Sequence, residues 1–263
     1  MRVKMICCDL DGTLLTYDQT ALSERFLDLV RRLHKKGILF VPTSGRQIVS
    51  VMTLFRPITE CCRYICSNGA VLCDSNGAVT DRIVMPKDEV VTIAKAFFEQ
   101  CNGRSEVNLA GAERCHLMCR DLGIEERLRY IGNDCERISS PSEVTDGIVK
   151  VSAFLPDGAE HYIAYFKERF PMYEPVIAGD YWIDIMNAHK GLGVQNLCRS
   201  LNILPEEVMA FGDNYNDETM LDLVGIPYIM DTAPKDLLEK YPNHTASVED
   251  TLEALYEQFE TLN

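Results

Sequence analysis

Two acidic clusters lie far apart in the chain, Asp9-Leu10-Asp11-Gly12-Thr13 and Gly212-Asp213-Asn214-Tyr215-Asn216-Asp217. Carboxylates gathered at one place repel one another unless a cation lies among them, so the two clusters together read as one site for a divalent metal ion. Each follows a short apolar run, Val3 to Cys8 and Val208 to Phe211, of the kind that forms a buried parallel strand. In an open α/β sheet ligands bind outside the carboxyl ends of the strands, which is where both clusters fall. Residues two apart in extended backbone face the same way, so Asp9 and Asp11 are expected to point into one crevice.

Further residues bear on the same chemistry. Lys190, in Asn187-Ala188-His189-Lys190-Gly191-Leu192-Gly193, starts a predicted helix carrying Leu192, Leu197 and Leu201. Its ammonium and the first free backbone N–H groups can face an anion, or the lysine is simply solvated. Ser44-Gly45 can hold an anion through a hydroxyl and backbone amides, or cap the next helix. Ser67-Asn68-Gly69 reads equally as a hairpin turn or a ligand contact.

The elements that must position these residues alternate. After the first strand, Leu22, Phe26, Leu29, Val30 and Leu33 form one helical face, with Gly37 as its C-cap. Ile38 to Pro42 is the second strand, ending in Thr43-Ser44-Gly45-Arg46, and Tyr64 to Cys66 is the third. This βαβα order predicts an α/β fold with a parallel sheet and right-handed crossovers. Over residues 83–184 the pattern changes. A helix at Glu89 to Cys101, strands at Glu106 to Ala110, Arg114 to Met118 and Ile148 to Leu155, a helix at Gly158 to Phe170 and a return through Tyr181 to Met186 predict an α+β insert.

Composition bounds the function. With 263 residues and 46% hydrophobic content the chain can bury a sizeable core, best divided into two unequal domains. A formal charge of -14 argues against broad nucleic-acid or anionic-membrane binding. Met1-Arg2-Val3-Lys4 runs straight into the first strand, unlike a signal peptide, and no apolar stretch approaches the roughly 18 residues of a membrane span. The expected location is cytoplasmic. The eleven cysteines lack the paired spacing of a zinc site, and Cys7, Cys8, Cys66 and Cys198 lie in apolar runs, so core packing in a reducing compartment is expected.

Taken in order, Asp9-x-Asp11-Gly12-Thr13, Ser44-Gly45-Arg46, Lys190-Gly191 and Gly212-Asp213-x-x-Asn216-Asp217 resemble the haloacid dehalogenase superfamily, in its Cof-like sugar-phosphatase branch. The resemblance covers residues 1–82 and 185–263 and includes Met230-Asp231-Thr232-Ala233; the middle matches the branch's cap by position and length. It implies a Rossmann-like core with helices on both faces, discontinuous over 1–82 and 185–263, and an α+β cap at 83–184 that lies over the active site and selects the substrate. It also implies a Mg2+-dependent hydrolase of phosphoric monoesters, acting on small phosphorylated metabolites such as sugar phosphates through an aspartyl-phosphate.

The resemblance assigns roles residue by residue. Asp9 is the nucleophile and a metal ligand; Asp11 is the acid and base and ligates through its carbonyl; Asp213 completes the metal's protein ligands and Asp217 orients its waters. The Leu10 and Gly45 amides, Ser44, Lys190 and Asn216 hold phosphate oxygens. A carboxylate attacks a phosphate dianion only if their repulsion is screened, which gives the cation its purpose. Ser44 stands where many members carry Thr and keeps the hydroxyl, whereas Thr245 to Thr251 lacks the usual Gly-Val pair. Alternatives are a sugar-phosphate phosphomutase and a non-catalytic sensor of phosphorylated ligands. No obligate protein partner, nucleic acid or membrane is implied.

Overall fold

A computed structural model describes residues 3–16, 19, 21–130 and 133–261; Met1 and Arg2 of the N-terminal reading lie outside them. β1 (Met5–Cys8) buries all four side chains. α1 (Glu24–Lys35) begins where the Ser23 hydroxyl accepts the Phe26 amide at 2.9 Å and buries Phe26, Leu27, Leu29, Val30 and Leu33; its C-cap is Lys36, one residue before the predicted Gly37. β2 (Leu39–Pro42), α2 (Ile48–Phe55), β3 (Tyr64–Cys66), β4 (Val71–Cys73) and β5 (Val79–Arg82) follow.

The insert runs α3 (Lys87–Gln100), β6 (Glu106–Gly111), β7 (Cys115–Met118), α4 (Leu122–Tyr130), β8 (Cys135–Arg137), β9 (Ile148–Phe154), α5 (Ile163–Arg169), β10 (Val176–Ile177) and β11 (Trp182–Ile185). The chain then adds α6 (Lys190–Leu201), β12 (Val208–Gly212), α7 (Glu218–Leu221), β13 (Ile226–Met230), α8 (Lys235–Lys240), β14 (His244–Thr245) and α9 (Val248–Thr261). Two compact units result: Met1–Arg46 with Val51–Thr80 and His189–Asn263, and Gln47–Ser50 with Asp81–Ala188.

The first unit is built on a parallel sheet in the order β14-β13-β12-β1-β2. Side chains alternate across β1, so its two faces need separate cover. Met5 and Cys7 pack with Val194 and Leu197 of α6 and Met220 of α7. On α1 and α2, Phe26 and Phe55 pack with Phe40 of β2, the Phe26 and Phe40 ring centroids 5.2 Å apart. Each fully buried Phe contributes about 1.5–3 kcal/mol through the area it removes from water. β3 differs from the expected third parallel strand. It meets β2 only through the parallel bridges Phe40↔Cys62 and Thr43↔Ile65, and its ladder is antiparallel, with β4.

The second unit carries the six-stranded sheet β10-β11-β9-β6-β7-β8, antiparallel except between β7 and β8. Its core joins Ile93 and Phe97 of α3 to Leu109, Val151 and Ile183 of the sheet and Phe166 of α5. The sequence reading missed α4, which buries no residue, the short strands β8 and β10, and the β4–β5 pair. Without a buried stripe a helix has little hydrophobic period to detect. The predicted second helix also starts later, because Gly158 to Tyr162 forms a separate 3-10 turn ahead of α5.

Candidate active site

Along the parallel sheet the chain steps outward from β1 to β2 on one side and from β12 to β13 and β14 on the other. Between β1 and β12 the connections diverge, which leaves a crevice at the carboxyl edge. Register delivers the two acidic clusters to that edge. Cys8 lies opposite Phe211, the Asp9 amide donates to the Phe211 carbonyl at 3.0 Å, and Asp213 follows directly from Gly212. A Cβ on Gly212 would lie 2.5 Å from that of Asp217, so only glycine lets the second cluster fold back on its strand.

A buried lysine ties the clusters together. Lys190 is the first residue of α6, whose N-cap His189 accepts the Leu192 amide through Nδ1 at 3.1 Å. Its ammonium donates to Asp9 Oδ1 at 2.5 Å and to Asp217 Oδ1 at 2.6 Å, and both Lys190 and Asp217 are wholly shielded from solvent. The other oxygen of Asp217 accepts the backbone amides of Asp213 and Asn214 at 3.0 and 3.2 Å. The Thr13 hydroxyl donates to Asp213 Oδ1 at 2.7 Å.

The electrostatics of this group leave room for a cation. Carboxylate oxygens of Asp9, Asp213 and Asp217 lie within 4.8 Å of one another. When all three carboxylates are ionised, the one ammonium leaves two negative charges that only a further cation can offset. Burial pushes the Asp9 carboxyl up to about 8, because the pull of Lys190 does not offset desolvation and the charge of Asp217 adds to it. Asp213 is raised for the same first reason. Burial by itself would lower Lys190, but Asp217 and Asp9 more than compensate and raise it. An all-oxygen donor set with two uncompensated charges fits a hard divalent ion such as Mg2+.

The predicted residues are placed unevenly. Asp9, Asp213, Asp217 and Lys190 converge as described. The extended-strand argument does not reach Asp11: β1 ends at Cys8, and residues 10–15 form a turn in which the Leu15 amide donates to the Leu10 carbonyl at 2.8 Å. The Asp11 carboxylate is exposed and is gripped by Arg46, whose Nε donates to Oδ2 at 2.8 Å and whose terminal nitrogen donates to Oδ1. Lys190, expected on phosphate, donates to the Asp9 and Asp217 carboxylates, which uses two of its three N–H donors. Ser44 is buried and its Oγ accepts the Arg46 amide at 3.2 Å in a turn that ends before α2 begins at Ile48, so it does not cap that helix, and Gly45 follows it in the same turn. Leu10 is buried beside the nucleophile candidate, and Asn216 is exposed in the turn Tyr215–Asp217. Asp217 also closes a capping box with Asn214, as its helix-terminus reading has it.

Gly12 sits at φ +95°, and a Cβ there would lie 2.5 Å from Asp213 Oδ2. Gly12→Ala is therefore expected to destabilise the fold by about 1–3 kcal/mol and to displace the Asp213 carboxylate. Urea unfolding, together with a Mg2+ titration followed by thermal midpoint, checks both; wild-type behaviour in each would refute the close approach.

Three contacts escaped the sequence reading. Arg46 and Thr13 belong to motifs already noted but carried no role, and His189 is an uncommon N-cap residue. In the second unit, Arg104 pairs with Asp157, Arg114 with Asp134 at 2.8 Å, Arg137 with Glu125, and His116 faces Glu136 at 2.7 Å and Asp146 at 3.2 Å. Those side chains are engaged by carboxylates of their own unit.

A parallel α/β core gathers carboxylates around a buried lysine at its switch point. The chain belongs to the haloacid dehalogenase-like hydrolases, whose family model matches residues 6–257. It is 27% identical over 271 residues to phosphatase YwpJ of Bacillus subtilis, covering 89% of this chain and 92% of the relative. It is 25% identical over 240 residues to the 5-amino-6-(5-phospho-D-ribitylamino)uracil phosphatase YbjI of Escherichia coli, covering 89% and 87%. Among solved structures, the subclass IIB sugar phosphatase BT4131 superposes with a TM-score of 0.78 at 20% identity, covering 96% of this chain and 99% of that one, a likeness of fold.

Proposed function

We propose that this hydrolase is a Mg2+-dependent phosphatase that releases phosphate from small phosphorylated metabolites, sugar phosphates among them, through an aspartyl-phosphate. The convergence of Asp9, Asp213, Asp217 and Lys190 at one switch point carries the reading. Curated relatives named as phosphatases, one of them acting on a phosphorylated ribityl compound, support it.

Asp9, the Asp11 carbonyl and Asp213 would hold the ion. When bound, Mg2+ screens the repulsion between an aspartate nucleophile and a phosphate dianion. Lys190 fixes Asp9 through Oδ1, leaving Oδ2 to attack phosphorus. As that bond forms, the phosphorus–oxygen bond to the leaving group breaks and Asp11 supplies the alcohol's proton. In the second half Asp11 takes a proton from water, whose oxygen attacks phosphorus and frees phosphate and the Asp9 carboxylate. The Leu10 and Gly45 amides, Ser44 and Asn216 are proposed to hold phosphate oxygens, and Asp217 holds Lys190 and the Asp213 backbone in place.

The inserted unit is proposed to select the substrate. No helix among the described residues is long and apolar enough to cross a membrane. A reducing cytoplasmic setting suits the eleven free cysteines, of which all but Cys119 are buried.

Treatment with EDTA is expected to reduce turnover of a phosphate-ester panel by about 10²-fold or more, and added Mg2+ to restore it. Independently of activity, Mg2+ is expected to raise the thermal midpoint of the metal-free protein. Turnover insensitive to EDTA, with no thermal shift on adding Mg2+, would remove the metal from the proposal.

A further inference from the structure

We infer that Arg46 is the residue that positions Asp11 for proton transfer, and that the Ser67–Asn68 turn is built to hold Arg46 where it can do so. The inference rests on the proposed role of Asp11 as acid and base.

An aspartate on an exposed turn ordinarily spreads over several rotamers. Asp11 does not have that freedom. Both of its oxygens are taken by one guanidinium, Nε to Oδ2 at 2.8 Å and the terminal nitrogen to Oδ1, which fixes the plane of the carboxylate as well as its direction. Each carboxylate oxygen has two lone pairs, and the fork uses one on each. The remaining lone pairs are free to give and take a proton in a set direction.

Arg46 is itself held from both sides. Its amide donates to the Ser44 hydroxyl at 3.2 Å, and its carbonyl accepts the Ser67 amide at 3.0 Å. The Asn68 amide donates to the Ser44 carbonyl at 3.0 Å, and the Ser44 amide to the Ile65 carbonyl at 2.9 Å, so the turns after β2 and β3 are laced together. The lacing requires unusual backbone. Ser67 and Asn68 are consecutive non-glycine residues at φ +50° and +52°, and the buried Asn68 Oδ1 has no hydrogen-bond partner in the structure. Left-handed non-glycine residues are disfavoured singly, and a pair beside an unpartnered buried oxygen is a feature that stability alone does not select. The amides of these two residues are the ones that hold the Arg46 and Ser44 carbonyls.

Proton donation matters most when the leaving group is a poor one. The parameter kcat/KM reports the steps up to departure of the leaving group, before hydrolysis of the aspartyl-phosphate contributes. Arg46→Ala is therefore expected to reduce kcat/KM by about 10²-fold for an alkyl phosphate such as a hexose 6-phosphate, and by less than about 3-fold for p-nitrophenyl phosphate, whose phenolate needs little protonation. Arg46→Lys keeps the charge but lacks the fork, and is expected to lose about 10-fold on the alkyl ester alone. Guanidinium ion is expected to restore part of the Arg46→Ala loss on the alkyl ester.

If Arg46→Ala does not fold, the comparison of the two esters is made on Arg46→Lys. Equal losses on both esters, a gain, or no loss on the alkyl ester would overturn the positioning role while leaving the phosphatase reading intact. A wild-type protein that hydrolyses neither ester in Mg2+ would instead overturn the phosphatase reading, and this inference with it.

Discussion

Asp9→Asn is expected to reduce kcat by about 10⁴-fold or more on every phosphate ester the protein hydrolyses, with the fold retained. A carboxamide nitrogen or oxygen does not serve as the nucleophile, but the amide oxygen can still accept the Lys190 ammonium that now sits 2.5 Å from Asp9. Loss of chemistry is thereby separated from loss of structure. Steady-state kinetics in Mg2+, with circular dichroism and a thermal midpoint on the same preparation, would test it; turnover within tenfold of wild type would exclude Asp9 as the nucleophile.

The same variant carries a pH signature. In the metal-free protein burial raises the Asp9 carboxyl from its ordinary value near 3.8 to about 8. Between those values the folded state holds a proton that the unfolded state has released, so this group's contribution to stability is complete below about pH 4 and is lost as pH rises towards 8. Urea midpoints in EDTA at pH 5 and 8.5 should therefore fall with rising pH in the wild type, and fall less in Asp9→Asn.

The second large effect is on stability. Lys190→Met removes the only ammonium bonded to Asp9 and Asp217 among the described residues, and leaves three carboxylates with oxygens within 4.8 Å of one another. Breaking a buried ion pair from one side costs about 3–5 kcal/mol, because the remaining charge stays desolvated and uncompensated. The loss is expected in EDTA by urea unfolding. Mg2+ should recover part of it, since a ligand that binds only the folded state stabilises it by mass action. Adding Asp9→Asn to Lys190→Met should also recover about 1–3 kcal/mol, a coupling that independent sites would not show. Additive losses, or a Lys190→Met protein as stable as wild type, would refute the account of Lys190 as the charge that holds the clusters together.

The structure gives Lys190 two carboxylate partners that its motif did not name. A lysine at a helix start faces an anion in either case, but Gly191-Leu192-Gly193 does not say which anion. The answer depends on α6 packing beside the β12 edge, where Asp217 folds back over Gly212. Thr13 is a similar case: it lies inside the first motif, yet its hydroxyl serves the second, 200 positions away.

The amino-acid sequence by itself determined the strands that carry the site and the residue types at their ends. β1 and β12 are buried on both faces, so they read as continuous apolar runs, and a parallel sheet with divergent connections puts their carboxyl ends side by side. Asp9, Asp213, Asp217 and Lys190 were legible because charged side chains directly after apolar strand runs or at a helix start stand out against the core pattern. The partner that holds Asp11 was decided only by the tertiary structure. Spacing along an extended strand predicts that residues 9 and 11 face alike, but the strand stops at Cys8 and a turn delivers Asp11 to Arg46, 35 positions on. That partner is set by backbone at Gly12, Ser67 and Asn68 in left-handed conformations, which hydrophobic pattern does not encode and only the packed chain imposes.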